Sequence, residues 1–161
     1  MLPVGKIVYP TDFSDPSLEA LKIANELALH FSALLCVVHV IPSVPVFSPA
    51  PIPPSPPTVP QFDVHLYQQE LREHSSKALE DFIEAHIPSE VTVKTIIATG
   101  NAADQIVRVA ETENCDLIVI ATHGRTGWSR FLLGSVAERV VRNAPCPVLS
   151  IQAPPEAASN L

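Results

Sequence analysis

The chain has 161 residues, 47% of them hydrophobic and only 6% aromatic, and carries a formal charge of −7 from 10 Lys and Arg against 17 Asp and Glu. That length suits one domain around one core. No apolar run reaches the roughly 18 residues of a membrane span, and the acidic balance speaks against general nucleic-acid binding, whose affinity comes from phosphate neutralisation. The opening residues Met1-Leu2-Pro3-Val4-Gly5-Lys6 lack the charged start and apolar centre of a secretory leader. The expectation is a cytoplasmic protein with neither membrane nor nucleic acid as partner.

Residues 6–9 form a short apolar run closed by Pro10, which predicts a first strand. Asp15-Pro16 then opens a helix, with Asp as N-cap and Pro at the first helical position. Leu18, Leu21, Ala24, Ala28 and Phe31 recur at helical spacing along it. The run Leu34–Ile41 is apolar almost throughout, as in a strand covered on both faces of a parallel sheet. Residues 42–60 hold nine of the 17 prolines and almost no charge. They are expected to form an extended surface loop inserted in the domain, acting either as a lid or docking segment or as a tolerated insertion.

Residues 66–86 read as a long outer helix with Leu71, Ala78, Leu79, Phe82 and Ile83 as its apolar stripe. Alternation of Val91, Val93, Thr95 and Ile97 predicts a strand, and Gly100-Asn101 turns the chain into a helix around residues 103–113. A second fully buried strand is expected at 116–121. Ser135–Asn143 reads as a short helix stopped by Pro145-Cys146-Pro147, followed by a last strand at Val148–Ile151 and a flexible tail over 153–161. Five strands alternating with four helices predict an α/β fold, a doubly wound five-stranded parallel sheet with helices on both faces. In such sheets ligands sit beyond the carboxyl ends of the strands, where the strand order reverses.

The most specific stretch runs from Ala121-Thr122-His123-Gly124-Arg125 through Gly127 to Gly134-Ser135. It leaves a buried strand, passes through a glycine-punctuated basic loop and enters a helix, which is the layout of an anion site. Ser135-x-x-Glu138 also has the spacing of a capping box, so Ser135 has two candidate roles, helix cap and phosphate contact. Asp12 is open to two roles as well, ligand contact or brace of its own loop. His123 orients the loop or joins the chemistry, Arg125 clamps a phosphate or lies solvated, and Trp128 and Phe131 anchor the loop to the body or to a partner. The chain has no GxxxxGK[ST], no GxGxxG after the first strand and no GxSxG. Its six histidines show no metal-ligand spacing, so no protein-held metal is expected. The three cysteines, Cys36, Cys115 and Cys146, fit neither a zinc pattern nor a CxxC pair and read as structural thiols.

The opening Ile7-Val8-Tyr9-Pro10-Thr11-Asp12-Phe13-Ser14, the glycine loop, and Pro145-Cys146-Pro147-Val148-Leu149 together resemble the universal stress protein family over residues 4–152. The resemblance implies a five-stranded parallel α/β fold, a homodimer, and membership of the branch that holds ATP through G-x2-G-x9-G-[ST]. Gly124, Gly134 and Ser135 match that motif, and Ala121 stands where its first glycine would be. It further implies Pro10, Thr11 and Asp12 beside adenine and ribose, Val40 against adenine and Ile120 in the pocket wall. His123, Gly124, Arg125, Gly134, Ser135 and Val136 would surround the phosphates. Mg²⁺ would come only with the polyphosphate. The implied function is an ATP-, ADP- or AMP-binding regulatory protein of the stress response with little or no hydrolysis. The alternatives are a nucleotide-independent dimeric interaction protein of the same fold and a slow ATPase. The edge character expected of Val148–Ile151 makes it the candidate dimer strand.

Overall fold

The computed structural model describes residues 4–43, 63–123 and 134–153. Among these residues nine elements follow one another: β1 (Lys6–Pro10), α1 (Asp15–Phe31), β2 (Leu34–Ile41), α2 (Val64–His86), β3 (Val93–Thr99), α3 (Ala102–Thr112), β4 (Leu117–Ala121), α4 (Ser135–Asn143) and β5 (Val148–Ile151). The strands form one parallel sheet in the order β3-β2-β1-β4-β5. The chain winds outward from β1 to β3, then returns past β1 to build β4 and β5. The reversal therefore falls between β1 and β4, and the ends of those two strands flank the crevice where this topology places ligands.

The sheet is covered on both sides, as the apolar runs require. Ile7, Tyr9, Leu35, Val37 and Val119 face α1 and α2, packing on Ala20, Leu21, Ala24, Leu79 and Phe82. Val8, Cys36, Val38, Ile118 and Ile120 face α3 and α4, packing on Ile106, Val109, Ala110, Ala137 and Val140. Alternate residues of one strand thus enter different cores, and a one-residue register slip would exchange them. Cys36 and Cys115 are buried in the second core and Cys146 is half-buried, all three as free thiols.

Several element starts differ from the sequence expectation. The N-cap of α1 is Ser14 rather than Asp15; its hydroxyl accepts from Ser17 N, and Asp15 is the first helical residue. Ser14 wins because Asp12 holds it in the extended geometry a cap needs, accepting from both its N–H and its hydroxyl. Helix α2 begins two residues earlier than expected, where Asp63 accepts from His65 N and Leu66 N at 2.9 and 3.1 Å. Val91 is buried but precedes β3, which runs on to Thr99 because β2 pairs with it up to Ile41. Helix α3 starts at Ala102 and ends at Thr112, capped by Asn101, which accepts from Asp104 N. Asp116 lies outside β4; its carboxylate instead accepts from Gly5 N and Lys6 N at 2.8 and 3.0 Å, fastening the approach to β1. Val148–Ile151 does form an edge strand, with Leu149 38% exposed.

Candidate functional site

A cleft of about 280 Å³ opens at the carboxyl ends of β1, β2 and β4, at the point where the strand order reverses. Its first wall is the end of β1 and the loop into α1, with Pro10, Thr11 and Asp12. Val38, His39 and Val40 of β2 form the next side, and Ala102 and Ile106 of α3 close it from below. The opposite wall is Ile120, Ala121, Thr122 and His123 at the end of β4, with Gly134, Ser135, Val136 and Ala137 at the start of α4. Every candidate site residue among those described therefore lines this one cleft. Gly124 and Arg125, together with Arg130, Trp128 and Phe131, lie outside the described residues, as do the prolines of residues 44–60.

The first wall is fastened by buried hydroxyls. Tyr9 OH donates to Ser17 O at 2.8 Å and lies 2.7 Å from Ser17 Oγ. Ser17 Oγ is 2.7 Å from Thr11 Oγ1, which accepts from Phe13 N at 3.0 Å. Burial pushes the Tyr9 phenol up to about 12, against the smaller opposing pull of its hydrogen bonds, so it stays a donor. Thr11 is itself buried, and its hydroxyl points into this chain; its N–H donates to Val38 O at 2.8 Å, tying the loop to β2. Asp12 accepts from Ser14 through one carboxylate oxygen. The brace role considered for Asp12 is thus real, and the same bonds fix its carboxylate at the cleft.

Phe13 closes this loop in the left-handed region, φ 64°. For a bulky side chain that conformation costs about 1–2 kcal/mol. The surroundings hold it there: its ring lies 4.5 Å from the His39 ring and 5.4 Å from the Phe82 ring. His39 Nδ1 is 2.9 Å from Thr11 O. A carbonyl oxygen only accepts, so this bond requires the proton on Nδ1.

The second wall is fastened by backbone. Thr122 N donates to Ile151 O at 2.8 Å, and Thr122 O accepts from Gly134 N at 2.7 Å. That contact explains the glycine: a Cβ on Gly134 would sit 2.9 Å from Thr122 O, closer than side-chain carbons approach an oxygen. Gly134, not Ser135, is the N-cap of α4, and among the described residues no side chain caps this helix. The capping box expected from Ser135 and Glu138 does not form, because Ser135 is already the first helical residue. Glu138 instead binds Arg142 one turn on, at 2.8 and 3.1 Å. The first-turn N–H groups of α4 have no carbonyl four residues back within the helix, and they begin at the cleft. Thr122 Oγ1 is 2.9 Å from His123 Nδ1. The Ala121 methyl packs on the α1-side core.

Ser17, Val38, His39, Ala102, Ile106, Thr122 and Ala137 line the cleft without having been expected there. His39 carried a signal, as the lone polar residue in the run Leu34–Ile41. Ser17 carried none, since a small residue on the buried stripe of a helix reads as packing.

Fold and cleft together define a doubly wound parallel α/β protein with its crevice at the switch between β1 and β4. The model of the Universal stress protein family matches residues 3–152, and the chain belongs to that family. It is similar to Universal stress protein MJ0531 of Methanocaldococcus jannaschii, 40% identical over 150 residues that cover 92% of this chain and 82% of that protein. It is 31% identical to MJ0577 of the same organism over 156 residues, covering 91% of this chain and 94% of the relative. The solved structure of MJ0577 superposes with a TM-score of 0.77 over 96% of this chain and all of that one. A universal stress protein solved in complex with cAMP shares the fold at 21% identity, with a TM-score of 0.56 over 93% of this chain and 98% of that one. Among the described residues no helix is long and apolar enough to cross a membrane.

Proposed function

We propose that this chain is a regulatory adenine-nucleotide-binding protein of the stress response, working as a homodimer in the cytoplasm with little or no hydrolysis of its own. The observation that carries the reading is the pairing of two unlike walls across one cleft. The start of α4, whose first-turn N–H groups no described side chain caps, faces the loop that holds the Asp12 carboxylate. Phosphates suit the first, sugar hydroxyls the second, and the apolar side chains of Val38, Val40, Ile106 and Ile120 between them suit a base. ATP, ADP or AMP fits this division of donors, acceptor and apolar surface, and the fold neighbour in complex with cAMP is in keeping with it. Pro10, Thr11, His123, Gly134, Ser135 and Val136 complete the proposed contacts. Gly124 and Arg125 are proposed from the motif, and Mg²⁺ is proposed to arrive with the polyphosphate. Ala121 is compatible with the reading because its methyl packs toward the core. Free Cys36, Cys115 and Cys146 suit a reducing compartment.

The dimer is proposed through β5. Among the described residues it is an edge strand with no strand paired on its outer side, and Leu149 and the α4 residue Val141 are 38% and 48% exposed. Val148→Pro removes a ladder donor and should yield monomer in analytical ultracentrifugation. Calorimetry with MgATP, ADP and AMP tests the nucleotide reading, which predicts saturable heat with at least one of them. Absence of heat and of any thermal shift at millimolar MgATP would leave a nucleotide-independent interaction module of the same fold. Hydrolysis, if measured, should fall far below the roughly 1–100 s⁻¹ of kinases.

A further inference from the structure

We propose that Tyr9 and Ser17, neither of which contacts solvent freely, are positioning residues that preset the first wall of the cleft through a one-way chain of hydrogen bonds that begins at the Phe13 amide. The inference takes its ligand from the nucleotide reading above; the chain itself rests on donor and acceptor counts alone.

Each hydroxyl has one proton to give. Tyr9 OH gives its proton to Ser17 O. Its 2.7 Å contact with Ser17 Oγ must then use the Ser17 proton. With that proton spent, the 2.7 Å contact between Ser17 Oγ and Thr11 Oγ1 must use the Thr11 proton. Thr11 Oγ1 is then left to accept, which it does from Phe13 N at 3.0 Å. Every donor in the series has one acceptor, and direction runs from the Phe13 amide inward to the Ser17 carbonyl. Buried chains of this kind are cooperative, and one missing link leaves the next donor unsatisfied.

The chain begins where the loop is strained. Phe13 keeps a φ of 64°, and the residues on either side of it are Asp12 and Ser14, which hold each other and carry the carboxylate to the cleft. Removing the Tyr9 hydroxyl leaves the Ser17 proton to turn onto Thr11 Oγ1, so Thr11 must point its own proton elsewhere and its hold on the Phe13 amide loosens. Ser17 is 3% exposed and lines the cleft, so its hydroxyl is both link and wall.

The test compares wild type with Tyr9→Phe, Ser17→Ala and Ser17→Thr, and with Val91→Ala, a buried position at the opposite end of the sheet. Two quantities are read: hydrogen exchange at the Phe13 amide by NMR, and MgATP affinity by calorimetry. Tyr9→Phe and Ser17→Ala should speed Phe13 exchange about tenfold and weaken MgATP about fivefold, the scale of one lost net hydrogen bond. Ser17→Thr keeps the hydroxyl and should restore both. Val91→Ala, though destabilised, should leave both unchanged. Phe13 exchange unaltered in Ser17→Ala overturns the proposal, as does an equal loss of affinity in Val91→Ala. Wild type that binds no nucleotide overturns the reading of function, while the exchange measurement still decides whether the chain presets the loop.

Discussion

The two walls of the cleft are built from different materials. The β1–α1 wall is held by side chains: Tyr9, Thr11, Ser14 and Ser17 bond to one another and to the loop backbone. Among the described residues the β4–α4 wall is held by backbone: Thr122 bonds to Ile151 on one side and Gly134 on the other, and the first turn of α4 has no side-chain cap. A wall of hydroxyls tolerates changes that keep the hydroxyl and loses its shape in steps. A wall of backbone tolerates nearly any side chain except where one would intrude. The first leaves a carboxylate at the cleft and the second leaves helix N–H groups, so opposite partial charges face each other at a switch point.

The sharpest break of this contrast is Gly134→Val. Its Cβ would meet Thr122 O at 2.9 Å, so the start of α4 must move. We expect about 3 kcal/mol of lost stability in urea unfolding and no measurable nucleotide affinity. A loss below about 0.5 kcal/mol would mean the wall yields more easily than its backbone geometry allows.

Alkaline pH attacks the other wall. Burial raises the Tyr9 phenol from 10.0 to about 12 in the folded protein. The folded state therefore holds a proton that the unfolded state has released, and its contribution to stability is intact below pH 10 and lost as pH rises toward 12. The difference corresponds to about 2–3 kcal/mol. Wild type should lose that much more than Tyr9→Phe between those pH values, with ultraviolet titration showing one of the two tyrosines ionising only on unfolding. Parallel pH profiles for the two proteins would contradict it.

A smaller pair of substitutions separates the two helix starts. Ser14→Ala removes a cap and should cost about 1 kcal/mol, whereas Ser135→Ala should cost less than about 0.3 kcal/mol because no cap bond is lost. Under the nucleotide reading, Ser135→Ala should still weaken ATP. Thermal melts and calorimetry on the two proteins measure both effects, and equal melting losses would restore a capping role to Ser135. The smallest change is expected for Ala121→Gly. It should cost about 0.5 kcal/mol through backbone entropy in β4 and leave nucleotide affinity unchanged or raised. A marked loss of affinity would show that the methyl supports the site rather than merely sparing it.

Local pattern was enough to read most of the fold. Apolar runs at Leu34–Ile41 and around β4, helical spacing in α1 and α2, and the alternation of strands with helices all depend on neighbours in sequence, and they specify a covered parallel sheet. The cleft was legible in two ways: strand ends and the glycine loop pointed to Asp12 and Gly134, and the family resemblance added Val40 and Ile120. Caps were less legible. Ser14 and Asp15 are both good N-caps, and only the Asp12 carboxylate, folded back on Ser14, decides between them. The role of Gly134 was equally hidden, since its close neighbour is a carbonyl twelve residues earlier whose position depends on where β4 ends and α4 begins.

The amino-acid sequence by itself determined the element order, the two-faced burial of the interior strands, membership of the universal stress protein family, and the chemistry available at the strand ends. Only the tertiary structure decided that Tyr9, Ser17 and His39 belong with Thr11 and Phe13. Residues 9 and 39 share no local period with residue 17. They meet because β1 and β2 lie side by side and α1 crosses over them, and contacts made by chain crossings leave no trace in the spacing of residues along the chain.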